Sequence, residues 1–158
     1  MSPSTLARRA ATSVAVTTIA VGAAAVPAHA QDVLFTFPSC RGFDVGVIFV
    51  SGAGNPITHV GPRAVLAAGT SSFILKNMKT GATVAVRTAG TAMSADGPNG
   101  STIFTNSGPS LLFLFPTDPG GPSTTLYQGQ LVINQSVDGV TTIKSSAGGT
   151  VDVCAALS

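Results

Sequence analysis

The chain has no tryptophan, no glutamate, one tyrosine and only two cysteines, and charged residues make up 9% of its 158 positions. Soluble domains usually carry about 25% charged residues. So small a supply excludes a coiled coil, whose flanking positions need Glu and Lys, and a disordered tail held open by charge repulsion. One histidine beyond residue 30 and two cysteines are too few for a zinc centre, so no metal and no cofactor is expected. No apolar run beyond residue 30 approaches the roughly 20 residues of a membrane-spanning helix, which argues against a stable membrane anchor.

What is present begins with an export-like amino terminus. Arg8 and Arg9 close a short basic region, an uncharged stretch rich in Ala, Val and Thr runs from Ala10 to Val26, and Ala28-His29-Ala30 forms a small-x-small cleavage site. The expected organisation is therefore a secretory signal over residues 1–30 and a single all-β domain over 31–158, either extracellular or loosely associated with the cell wall. Removing Arg8 and Arg9 leaves six cations against six aspartates and no net charge. No basic run remains to follow a phosphate backbone, so nucleic acid is not an expected partner. Cys40 and Cys154 lie more than a hundred residues apart, and in an exported chain they are expected to form one disulfide.

The apolar runs are four to eight residues long and separated by Gly, Pro, Asn or Asp, which is the spacing of strands. Strands are predicted over Val33–Phe37, Phe43–Val50, Ile57–Val60, Ala64–Ala68, Ser72–Met78, Thr83–Thr88, Ser101–Thr105, Ser110–Phe115, Thr125–Ser136, Val140–Ser145 and Thr150–Cys154. Ala64–Ala68, followed by Gly69, also reads as a helical turn. With short links and no helices between them, the strands should form an antiparallel meander. So many strands do not lie in one open sheet, and the meander is expected to close as a small barrel or a two-layer sandwich. A Cys40–Cys154 bridge would then join the terminal strands.

Local chemistry sharpens three points. A three-residue loop at Val137-Asp138-Gly139, with Gly139 left-handed, sets Ile133 opposite Ile143, whereas a two-residue loop would set it opposite Lys144. Lys79-Thr80-Gly81 has the same turn chemistry. Val45–Val50 and Leu111–Phe115 are apolar on both faces, so each is either covered on both sides or offers one face as a binding patch.

Gly42-Phe43-Asp44-Val45 directly after Cys40-Arg41, Leu75–Gly81, and the ending Val151-Asp152-Val153-Cys154-Ala155-Ala156-Leu157 resemble a group of short secreted actinobacterial β-proteins with no assigned function. The resemblance implies export and fold, and carries no chemistry.

Reactive groupings are scarce. His59 is the histidine that a Ser-His-Asp arrangement would use, with Asp44 and Ser51 as conceivable partners, but no serine sits in a G-x-S-x-G elbow. No catalytic residues are assigned. The loops Asp96–Gly100 and Thr117–Gly121 each offer one carboxylate, where calcium wants six to eight oxygens. The most distinctive segment is Pro116-Thr117-Asp118-Pro119-Gly120-Gly121-Pro122, a stiff connector that reads as a candidate binding loop. Three functional readings follow. One is a non-enzymatic domain with a binding or structural role toward a cell-wall component. The second is a carrier holding a small apolar ligand in a barrel interior lined from Phe43–Val50 and Leu111–Phe115. The third is an enzyme centred on His59.

Overall fold

Short apolar runs punctuated by glycine and proline build twelve antiparallel strands, a 3-10 turn at Pro98–Gly100 and one short α-helical turn among the described residues. These are β1 (Phe35–Cys40), β2 (Phe43–Gly52), β3 (Thr58–Val60), β4 (Ala64–Ala67), β5 (Gly69–Asn77), β6 (Thr83–Asp96), β7 (Thr102–Ser107), β8 (Ser110–Leu114), β9 (Ser123–Tyr127), β10 (Gln130–Gln135), β11 (Thr141–Ala147), β12 (Thr150–Asp152) and α1 (Val153–Ala156). The computed structural model describes residues 32–52, 58–60 and 64–158, and for 58–60, 64 and 65 the backbone alone. The export-like segment with Arg8, Arg9 and Ala28–Ala30 lies outside the described residues.

The strands form a seven-stranded sheet in the order β1-β2-β5-β6-β7-β10-β11 and a five-stranded sheet in the order β12-β9-β8-β4-β3. The sheets do not close, so the barrel alternative is corrected to two packed sheets. Strand β6 explains the arrangement. Its first part, Thr83–Gly90, pairs with β5, and its second part, Thr91–Asp96, pairs with β7. At the junction a side chain on Gly90 would crowd the Asn106 amide and the Pro109 carbonyl, so a residue without a side chain suits the close approach there.

One long sheet thereby reaches both faces of the shorter one. On the first face, Phe37, Val45, Val47, Phe73 and Leu75 pack against Leu111 and Phe113 of β8. On the second, Leu131 and Ile133, with Phe104 and Ile143 beside them, pack against Leu66, Leu112, Leu114 and Tyr127. Burial there holds the Tyr127 hydroxyl above its ordinary pKa. Strand β8 is thus covered on both sides, which is why every residue from Ser110 to Leu114 is buried. Strand β2 is covered more unevenly. Val45 and Val47 face the core, whereas on the outer face Val33 and Met78 flank Gly46, Ile48 is buried, and Val50 is exposed.

Cys40 and Cys154 are bonded, with Cα atoms 5.5 Å apart. Strand β12 pairs with β9, however, so the bridge ties the two sheets together rather than placing neighbouring terminal strands side by side. Next to it the buried hydroxyls of Ser39 on β1 and Thr124 on β9 lie 2.7 Å apart.

The hairpin expectation is met: Ile133 faces Ile143, Gly139 has φ of 78°, and the Ser136 N–H donates to the Val140 carbonyl at 3.0 Å. Ala64–Ala67 is a strand. Several strand ends shift by two or three residues, and three departures are larger. Thr125–Ser136 is two strands, because the chain turns at Gln128-Gly129, where a side chain on Gly129 would strike the Ala147 carbonyl. Strand β6 runs on to Asp96 through residues with no apolar alternation. The carboxyl end closes as a helical turn, Asp152 Oδ1 accepting from the Ala155 N–H at 3.0 Å.

Candidate functional site

At the disulfide end of the molecule, three turns surround a shallow groove of about 580 Å³. The first is the β1–β2 turn with Arg41, Gly42, Phe43 and Asp44. The second is the start of the β5–β6 turn, with Met78 and Lys79. The third is the proline-rich loop, which contributes Pro116 and Pro122, while Cys40 and Pro38 complete the wall. The volume lies within the range of small-molecule sites.

Each turn is braced from below. Asn77 is buried, and its Oδ1 accepts from the Lys79 N–H at 2.8 Å and the Thr80 N–H at 3.1 Å, which fixes the β5–β6 turn. Its Nδ2 donates to the Leu157 carbonyl at 3.0 Å, tying that turn to the carboxyl end. The Met78 N–H donates to the Asp44 carbonyl at 3.0 Å and links the first two turns. In the proline-rich loop Asp118 is buried; its Oδ2 accepts from the Phe115 N–H at 2.8 Å and its Oδ1 from the Thr141 N–H at 3.0 Å. The Gly121–Pro122 peptide bond is cis.

Of the seven candidate loop residues, Pro116 and Pro122 line the groove. Thr117, Pro119 and Gly120 are exposed away from it, Gly121 is half-buried, and Asp118 points inward as the loop's own scaffold. Because both Asp118 oxygens accept backbone N–H groups, this carboxylate is committed to the loop. The groove thus takes two of the seven loop residues and draws its other walls from two further turns. Arg41, Asp44 and Lys79 are exposed, and no other charged group among the described residues engages them. Local reading missed these residues because they lie on turns distant in sequence. Yet the three motifs quoted above meet here, through Gly42–Asp44, Met78-Lys79, and Cys154 bonded to Cys40.

The two conceivable partners of His59, Asp44 and Ser51, do not come together. Asp44 and Ser51 lie on the same extended strand, seven positions and therefore roughly 20 Å apart. The His59 backbone lies in β3 opposite Val65, and its side chain is outside the described residues. Among the described residues no three His, Cys, Asp or Glu side chains come together, and no helix is long and apolar enough to cross a membrane.

A second, smaller cleft of about 280 Å³ opens on the seven-stranded sheet, lined by Val50, Ser72, Phe73, Ile74, Ala85, Val86 and Arg87. Compared with family models, curated proteins and solved structures, the chain matches none of them.

Proposed function

We propose that the chain is an exported, non-enzymatic binding domain that attaches to an anionic polymer of the cell wall through the three-turn groove. The observation that carries this reading is the pair of exposed cations, Arg41 and Lys79, set beside Phe43, Met78 and two prolines on braced turns. Two cations against one carboxylate, Asp44, favour an acidic ligand. Turns held by buried side chains lose little freedom on binding, which lowers the ordering cost. The amino-terminal pattern, with Arg8-Arg9 and Ala28-His29-Ala30, supports export, and the disulfide fits an oxidising compartment.

Co-sedimentation with purified wall fragments tests the reading. The chain is expected to pellet with them at low salt, and an Arg41→Ala/Lys79→Ala variant to lose at least about tenfold in affinity, the effect of removing two charge contacts worth about 1 kcal/mol each. Undiminished pelleting by that variant would remove the groove from the proposal. The smaller cleft favours a second reading, in which a small apolar ligand binds on the outer face of the seven-stranded sheet rather than in a barrel interior.

A further inference from the structure

We propose that a second copy of this chain pairs antiparallel along the free edge of β6, joining two seven-stranded sheets edge to edge. The surface is separate from the groove and stands without the binding reading.

The two partners of β6 lie on opposite edges. The Ala89 N–H donates to the Pro109 carbonyl at 2.9 Å, while Ala89 sits opposite Thr70 of β5 without using that N–H. The ladder with β7 continues the same register from Thr91–Ser107 onward. Strand β5 stops at Gly69, opposite Gly90, so beyond Gly90 the edge that faced β5 has no partner among the described residues. In an antiparallel ladder successive residues direct their N–H and C=O groups to alternate edges. Ala89 points toward β7, and by alternation Ala92, Ser94 and Asp96 direct theirs to the free edge. All six residues from Thr91 to Asp96 are exposed, Met93 at 71%.

The other sheet edges carry devices that discourage pairing. Strand β1 has Pro38 and an irregular register between Phe37 and Cys40. Strand β11 carries Lys144 near its centre, and β3 and β12 are three residues long. Thr91–Asp96 has no lysine, no proline and no bulge. Among the described residues it is the sheet edge that carries none of these devices beyond the terminal Asp96.

A second copy fits this edge in one register. Two-fold pairing across Ser94 sets Ser94 opposite Ser94 and Asp96 opposite Ala92, which lets all three outward-facing residues of each copy exchange both hydrogen bonds. Shifting by one pair to centre on Met93 would place Asp96 opposite Gly90, whose outward groups already meet Gly69. In the Ser94 register Met93 packs on Ala95 of the copy and lies diagonal to its own counterpart, which covers the exposed thioether. The two Asp96 carboxylates, the only charges on the segment, fall four positions apart along the strand, roughly 13 Å, beyond a Debye length at physiological salt.

Sedimentation velocity of the purified full chain over about 10 µM to 1 mM is expected to show a concentration-dependent dimer. Ser94→Pro removes an outward N–H and should return the chain to monomer at every concentration. Ser94→Cys should form an intermolecular disulfide under mild oxidation, at least about tenfold faster than Asp96→Cys, since only residue 94 meets itself. A monomer at 1 mM, a dimer that survives Ser94→Pro, or equal cross-linking at residues 94 and 96 each overturns the proposal. The cysteine comparison decides the matter even if the proline variant fails to fold.

Discussion

At the level of single residues, the groove depends on side chains that never touch a ligand. Asp118 is the clearest case: one carboxylate holds the Phe115 and Thr141 N–H groups and so fixes the loop that presents Pro116 and Pro122. Asp118→Ala removes two charge-assisted bonds and leaves one donor buried and the other part-buried, so a loss of about 2–4 kcal/mol is expected in urea unfolding. Asp118→Asn keeps one acceptor but turns an amide N–H toward a donor, and should fall between the two. An alanine variant as stable as the parent would show that the loop holds its shape by other means. Little of this was legible beforehand. The Pro-Thr-Asp-Pro-Gly-Gly-Pro composition announced a stiff loop, but whether its carboxylate faced outward or inward depended on Thr141, on a strand 23 positions away. Asn77 was equally opaque, since its use by both the adjacent turn and Leu157 depends on tertiary approach.

At the level of elements, the alternation of apolar residues was a sound guide where an element has one environment. The Ile133–Ile143 register followed from requiring a single buried face, and the structure has that register. It failed where an element changes environment along its length. Strand β6 leaves the core at Gly90 and continues through exposed Thr, Ala, Met and Ser, so no periodicity marks its second half. Between β9 and β10 the apolar pattern runs straight through the crossing from one sheet to the other, and Gly129 alone marks the turn. Strand β8 is apolar throughout because it lies between two layers, with Leu111 in one cluster and Leu112 in the other. Both side chains are almost wholly buried. Leu111→Ala and Leu112→Ala should therefore each cost about 2–5 kcal/mol in chemical denaturation, whereas a strand with one wet face would give one large loss and one near zero. Such asymmetry would mean that β8 is not the middle layer.

For the molecule as a whole, the covalent link between the sheets matters more than its closeness to the chain ends suggests. The Cys40–Cys154 bond spans 114 positions and joins the end of β1, in the longer sheet, to the helical turn after β12, which belongs to the shorter one. In the chain-entropy view, so long a loop raises the free energy of the unfolded chain by about 4–5 kcal/mol, an upper figure for the stabilisation. The native side has its own contribution, because the bond sits among the Ser39–Thr124 hydroxyl pair, Val153 and Leu157, all buried at the same end. These contacts join β9 to β1 beside the bond, and the second cluster, around Leu112 and Leu131, includes neither cysteine. A Cys40→Ser/Cys154→Ser variant should accordingly keep the strand signature in circular dichroism at 25 °C while its melting temperature drops by up to about 15–20 °C, given roughly 4 °C per kcal/mol for a domain of about 130 residues. Loss of the strand signature at 25 °C would show that the sheets cannot hold together unaided. An unchanged melting temperature would show that the inter-sheet contacts alone fix the end of the molecule where the groove lies.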